Sequence, residues 1–482
     1  MKFSRTSLLL TIAAFWLALG LTLGLHSPAQ ADRVVDHHSA HDWAKFTAES
    51  TIDRGTRCLN PLFPRYRIEK LAKSCSAAIA AIDQTEANWE NDYETFFDRD
   101  FAGLGLSAAE ISQTLSAVER QTGQNAAVLW IMAQPDKLNI ALSTKQTSVY
   151  SVDITEVNAD SLRPYRRRLQ RAVTIPSRGQ RYLHSASQLY DWLIRPIQDV
   201  LKAEGIETLL ICPGEGLRSL PWAALYDAEA EQFLIEQYSF SVIPAFNLTN
   251  IAYSNLQEAQ VLAMGASQFT RQPNLSDLPG VEAELQFIPL DRWQDKAFLN
   301  QEFTPETLKT AQEDCDCEIV HLATHAEFQP GAPSNSFIHF YDRPLPLDQI
   351  DDFNWHDPLV ELLVLSACET AIGDQDAELG FAGLAVQSGV KSALASLWHV
   401  SDTGTMGLMS EFYRAITQAP IKAEALRQAQ LAMLRGDVFI AEGQLHTSSE
   451  TLSLPTSLAN MGAIDLTHPY YWAAYNLIGS PW

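Results

Sequence analysis

Cysteine is scarce in this chain: six residues in 482, at Cys58, Cys75, Cys212, Cys315, Cys317 and Cys368. So few thiols in a chain this long exclude a disulfide scaffold, in which bridges stand in for a core. Cys315-Asp316-Cys317 lacks the two-residue spacing and the second ligand pair of a zinc site, and reads as structural or incidental. Basic residues are also short, 34 Lys and Arg against 58 Asp and Glu, a net charge of −24. Such a field argues against nucleic acid and anionic membranes as partners and favours basic peptides. No run after residue 25 is apolar enough to span a bilayer. No 34-residue period marks a helical repeat array. The glycines of CPGEGLRSLPW (212–222) and LGFAGLAVQSGV (379–390) miss both fixed phosphate-binding spacings and are assigned to turns and close helix packing.

What the chain does have is apolar content, 46% of its residues, enough for one large core or two ordinary ones. Its first 31 residues combine Lys2 and Arg5, an apolar run from Leu8 to Leu25, and Ala29-Gln30-Ala31. That order is an export signal cleaved after Ala31 and a periplasmic or secreted location; the run is also just long enough for an uncleaved membrane anchor. Cys58 and Cys75 would then be free to pair. The tract His37-His38-Ser39-Ala40-His41 is read as solvated rather than metal-binding.

Residues 32–120 carry a helical pattern, with apolar positions recurring at three and four in YRIEKLAKSCSAAIAAIDQ (66–84); no function is legible in them. After residue 120 the texture changes. Short apolar runs such as AAVLWIMA, TLLICPG, QVLAMGAS, EIVHLATH, LLVLSACE and SALASLWHV alternate with helical segments, among them 403–418 and 421–435. Continuous apolar strands of this kind belong to a sheet buried on both faces, a three-layer α/β fold with a mostly parallel central sheet, preceded by a small helical region.

Ligands bind such sheets at the carboxyl ends of the strands. The run 318–328 gives out at Thr324-His325 and the run 361–370 at Cys368. If the two strands are parallel neighbours, roughly 4.8 Å apart, a thiol and an imidazole meet. The 42 residues between them hold a crossover that includes a hairpin in NSFIHFYDRPLPL (335–347) and a short helix near 348–353. An imidazole beside a thiol draws off its proton and later returns it to a leaving amine. The competing reading is a small thiol buried at a strand end, against which stand the turn-forming residues of SACETAIGD. His321 and His325 would lie roughly 13 Å apart on a strand, too far to share one ion, so His321 packs in the sheet.

These residues resemble the CHAT domain, a caspase-like branch of the cysteine peptidases that includes separase-related and gingipain-related folds. The resemblance rests on LLICPGEGLRSLPWAALYD (209–227), LPGVEAEL (278–285), IVHLATHAEF (319–328), LLVLSACETAIGD (362–374), GFAGLAVQSGVKSALASLWHVSD (380–402) and HPYYWAAYNLIG (468–479), in order. It spans roughly residues 121–482, with a catalytic core from about 205. What it implies is a cysteine endopeptidase whose dyad is His325 and Cys368, with backbone amides of Cys368 and of the residue after the histidine receiving the oxyanion. That residue is usually Gly and here is Ala326, whose N–H survives but which would be strained at positive φ. Similar proteins read Trp-Pro-Val-Asp-Asp where this chain has Trp398-His399-Val400-Ser401-Asp402. Two roles stay open for Asp402: a pocket carboxylate that binds a substrate Arg or Lys, and a helix cap.

Asp374 and Asp376 stand near the nucleophile but read as a solvated loop rather than a calcium site. Arg166-Arg167-Arg168 is either a self-processing site or an exposed helical face. The expected partner is a peptide or protein substrate, with a regulatory protein a further one; the mechanism needs no metal or organic cofactor. Two rival functions remain, an inactive caspase-like scaffold and a cell-envelope transpeptidase or amidase.

Overall fold

The structure, a computed structural model, describes residues 75–482 apart from 102, 147–148, 289–296, 354, 371–373 and 457. The export signal, the histidine tract and Cys58 lie outside the described residues, as does the side chain of Cys75, and with them their pairing. Among the described residues no helix is long and apolar enough to cross a membrane.

Among the described residues thirteen strands form one sheet. In chain order they are β1 (Ala126–Ala133), β2 (Leu138–Thr144), β3 (Tyr150–Ile154), β4 (Thr208–Pro213), β5 (Ser239–Val242), β6 (Val261–Gly265), β7 (Phe298–Leu299), β8 (Ile319–Phe328), β9 (Phe337–His339), β10 (Pro344–Pro346), β11 (Leu362–Thr370), β12 (Ser392–Ser396) and β13 (Tyr475–Gly479). Across the sheet the order is β10-β9-β8-β11-β12-β13-β5-β4-β1-β2-β3, with β6 on β8 and β7 on β6. The pairs β6–β8, β8–β11, β11–β12, β4–β5 and β1–β4 are parallel.

The apolar runs read from the sequence become these strands because a residue every 3.3 Å, with side chains on alternating faces, needs apolar neighbours on both sides when helices cover both. β2, β4, β6 and β12 are buried along their whole length. Three strands escaped sequence reading, β7 among them with only two residues. β3 is short and alternates buried and half-buried positions. β13, the last strand, runs antiparallel on β12 and meets β5 through the register pair Ile478–Val242, which joins the two halves of the sheet.

The helices that matter here are α1 (Cys75–Phe97), α2 (Ala108–Thr122), α3 (Ala159–Val173), α4 (Leu183–Leu193), α5 (Val281–Phe287), α6 (Gln375–Ala382), α7 (Asp402–Ile416) and α8 (Lys422–Arg435). Their ends follow capping chemistry. Glu110 accepts from both the N–H and the hydroxyl of Ser107 ahead of α2, and Gly123, at φ +73°, closes it, a conformation glycine adopts without strain.

Helix α1 shares the main core. Glu86 is buried, and its carboxylate accepts from Trp130 Nε1 at 2.6 Å and from the backbone N–H groups of Phe246 at 3.1 Å and Asn247 at 2.9 Å. Burial pushes this carboxyl above its ordinary range despite those donors. The Tyr93 ring lies 5.5 Å from the guanidinium carbon of Arg218. Phe97 fills the space above Gly383, where a Cβ would stand 2.5 Å from the ring.

Cys315 and Cys317 are joined by a disulfide, Cα atoms 5.2 Å apart. Cys212 is a buried free thiol, pushed well up by burial.

Candidate active site

β8 and β11 are parallel neighbours, and their register carries the site. From Ile319 opposite Leu362 to Leu322 opposite Leu365 the offset is constant; then His325 pairs with Ala367, Ala326 with Cys368, Glu327 with Glu369 and Phe328 with Thr370. Two residues of β8, Ala323 and Thr324, thus face one of β11, Ser366, which is a β-bulge. The extra residue moves His325 from the position opposite Cys368 to the one before it.

The bulge has a local cause. Up to Ala323 the free edge of β8 is paired by β6, and from Ala326 onward by the antiparallel strand β9. Between the two partners the Thr324 hydroxyl donates to the His339 carbonyl, and the Ala323 carbonyl accepts from Ala266 N at 3.1 Å.

The sequence expectation that both strands give out at His325 and Cys368 is corrected here. β8 runs on to Phe328 and β11 to Thr370, because β9 supplies a fresh ladder and the two strands stay paired to their ends. His325 and Cys368 therefore stand inside strands rather than at their ends, His325 on the edge between the β6 and β9 ladders and Cys368 beyond the last register pair with β12, Leu365–Ala395. Cys368 is placed through its backbone, its side chain lying outside what is described.

His325 is nearly buried. Its Nε2 lies 2.8 Å from the carbonyl oxygen of Ser276. The Phe269 ring packs against it at 4.9 Å and the His399 ring lies roughly parallel at 6.0 Å. Burial lowers its pKa below the usual 6.5; the Ser276 carbonyl and the carboxylates of Glu327 and Asp402 oppose that shift, and His399 adds to it.

Ser276 lies in a loop pinned at several points. Phe269 N donates to Asp277 Oδ1 at 3.2 Å, Leu278 N to the Ser267 carbonyl at 3.0 Å, and Gly280 N to Asp402 Oδ2 at 2.8 Å. Sequence reading missed Ser276 because its contribution is a backbone carbonyl, which any residue type supplies. The nearby LPGVEAEL stretch was the one available signal.

Asp402 opens α7, but the cap is Ser401, whose hydroxyl accepts from Gly404 N at 3.3 Å. The Asp402 carboxylate reaches sideways to Gly280 instead, and burial raises its pKa. Ala326 is buried and paired with Ile338 on one edge and Cys368 on the other. It is absent from the positive-φ residues, so the strain foreseen for a non-glycine there does not arise.

His321 packs, with Nδ1 2.9 Å from the Tyr413 hydroxyl and Nε2 3.0 Å from Glu284 Oε1. Asp374 caps α6, accepting from the N–H groups of Asp376 and Ala377. Asp376 accepts from Gly331 N, so neither is a free loop carboxylate. Among the described residues no group of three or more His, Cys, Asp and Glu would hold a metal. In the arginine run, Arg166 is buried within α3, donates to the Gly216 carbonyl and lies 3.6 Å from Glu378; Arg167 and Arg168 are exposed on the same helix, the helical face of the two readings.

The sequence profile of the CHAT domain matches residues 183–480. No curated protein matches the sequence. Among solved structures, a chain of the Saccharomyces cerevisiae separase–securin complex is similar at 10% identity, over 86% of this chain and 34% of that one, with a TM-score of 0.45. This chain therefore spans about a third of that chain's length. The complex of Porphyromonas gingivalis RgpB pro- and mature domains is similar at 9% identity over 67% of this chain and 77% of that one, TM-score 0.35. The Arg-specific cysteine proteinase gingipain R is similar at 10% identity over 66% of this chain and 74% of that one, TM-score 0.35.

Proposed function

Since the chain belongs to the CHAT domain family, we propose that it is an exported cysteine endopeptidase acting through Cys368 and His325. The observation that carries this reading is the parallel pairing of β8 and β11, which brings the backbones of His325 and Cys368 to neighbouring strands one register step apart, while a carbonyl fixes the imidazole.

A carbonyl oxygen only accepts, so the Ser276 contact makes Nε2 the protonated nitrogen and leaves the lone pair on Nδ1. Nδ1 takes the proton of the Cys368 thiol, and the thiolate attacks the substrate carbonyl carbon. As the tetrahedral adduct collapses, the C–N bond breaks and the imidazolium returns its proton to the departing amine. A thioester remains, which water, deprotonated by the same imidazole, hydrolyses to the free acid and the thiol. The backbone amides of Cys368 and Ala326, register partners on adjacent strands, are the proposed donors to the oxyanion.

The net charge of −24 supports cleavage after Arg or Lys. Residues 1–31 are the proposed export signal, and with export the substrate, and any regulatory protein, would be met outside the cytoplasm.

The test uses the mature protein, residues 32–482, and its Cys368→Ala form against fluorogenic peptides varied at the residue before the scissile bond. Cleavage by the first and not the second is expected. Silence from both, with Cys368 inert to thiol probes, would replace the peptidase with a scaffold; transfer to added amines in preference to water would replace it with a transpeptidase. Amino-terminal sequencing of the exported product checks the start at Asp32.

A further inference from the structure

The site holds a carboxylate whose hydrogen bond goes to a loop amide. Asp402 Oδ2 accepts from Gly280 N at 2.8 Å, and the approach is so close that a Cβ on Gly280 would stand 2.6 Å from Asp402 Cβ. Only glycine permits that distance. Four residues earlier in the same loop is Ser276, whose carbonyl receives His325 Nε2–H. From Leu278 onward the loop turns back on itself, Val281 N donating to the Leu278 carbonyl at 3.1 Å and Leu278 N to Ser267. Asp402 is therefore the anchor at one end of the segment that orients the imidazole at its other end.

We propose that Asp402 is a positioning residue, acting on His325 through the Gly280–Ser276 loop, and that its carboxylate is not the determinant of substrate side-chain preference. This rests on the peptidase reading for its consequence in catalysis, though not for its geometry. Asp402 begins α7, whose cap is already supplied by Ser401, so its side chain is released from capping and can hold the loop. Burial keeps water from competing for the Gly280 amide, and that amide in turn counters the rise in the carboxyl's pKa. A histidine whose ring is free to rotate loses the Nε2–H tautomer preference that keeps Nδ1 basic and aimed.

Two variants separate this role from others. Asp402→Ala removes the acceptor; Asp402→Asn keeps an oxygen that accepts from Gly280 but loses the charge. Both are compared with the wild-type chain by the Nε2–H resonance of His325 in protein labelled with 15N-histidine, by thermal melting, and by kcat and KM on peptides ending in Arg, Lys and uncharged residues. The expected result is that Asp402→Ala loses the protected Nε2–H resonance and lowers kcat about tenfold to a hundredfold on every peptide, with KM and the melting point little changed. Asp402→Asn restores the resonance and most of kcat.

The proposal is overturned if the resonance persists in Asp402→Ala. It is overturned equally if both variants lose only Arg and Lys substrates through KM, which would make Asp402 a pocket carboxylate. A wild-type protein that cleaves nothing sinks the peptidase reading alone, since the resonance still reports whether Asp402 holds the loop.

Discussion

His325 Nε2 and the Ser276 carbonyl oxygen, 49 residues apart in the chain, lie 2.8 Å from each other. That single contact chooses the tautomer of the imidazole and so decides which nitrogen is left to act as the base in the proposed reaction. Its other consequence is in the pH profile. Burial holds the His325 pKa below 6.5, so the neutral base persists into mildly acidic solution. The acid limb of kcat/KM, measured on a peptide with no titrating group, is expected below pH 6.5; a limb at or above that value contradicts the assignment.

Gly265, at the end of β6, lies against the bulge. A Cβ there would meet the Ala323 carbonyl oxygen at 2.7 Å and Val281 Cγ1 at 2.8 Å. One of these atoms is backbone and cannot swing aside. Gly265→Ala is expected to destabilise the protein by about 1–3 kcal/mol, as overpacking does, and to lower activity beyond that loss because Ala323 begins the bulge that sets His325. Chemical denaturation alongside kcat/KM on the folded fraction tests both parts.

Glu86 ties α1 to β1 and to the segment after β5 through three N–H donors. Glu86→Ala leaves those donors buried and unpaired, each at about 1–3 kcal/mol. A melting point depressed by about 3–9 °C is expected, since about 1 kcal/mol shifts a chain of this size by roughly 1 °C at about 2.1 cal/mol/K of unfolding entropy per residue. An unchanged melting point would show that α1 contributes little to the fold.

Two buried lysines share one carboxylate at the foot of β11. Lys391 Nζ lies 2.8 Å and Lys422 Nζ 3.6 Å from Glu361 Oε2. Desolvation lowers Lys422 from 10.5 to about 7, with Lys391 adding to the fall. A depressed folded-state pKa contributes stability that is present above pH 10.5 and is lost as pH falls through about 7, because the unfolded chain takes up the proton first. The melting point is expected to decline between pH 9 and pH 6, and Lys422→Met to flatten that decline at little or no cost, as a well-packed apolar replacement of a buried ion does. Glu361→Gln, which strands both ammonium groups, is expected to cost about 3–5 kcal/mol. Calorimetry across that pH range decides.

Much of the site was legible in the sequence. The runs 319–328 and 362–370 are too apolar and too short to be anything but buried strands, and a thiol and an imidazole near their ends invite pairing. The hairpin of 335–347 and the helices near 402–416 and 422–435 followed from turn chemistry and period. What could not be read was where those strands stop, because length depends on which neighbour supplies the next hydrogen bond. β9 extends β8, and no residue of β8 announces it.

The same distinction runs through the whole chain. Sequence alone determined the layers, the order of apolar and helical segments and the residue types able to do acyl chemistry, since hydrophobic period and side-chain chemistry are local properties. Only the tertiary structure decided the bulge at Ala323-Thr324, the carbonyl that holds His325, the partner of Asp402 and the closing of the sheet by β13. Each of these depends on a backbone group or a strand edge meeting another segment tens to hundreds of residues away, and every residue carries the same amide and carbonyl.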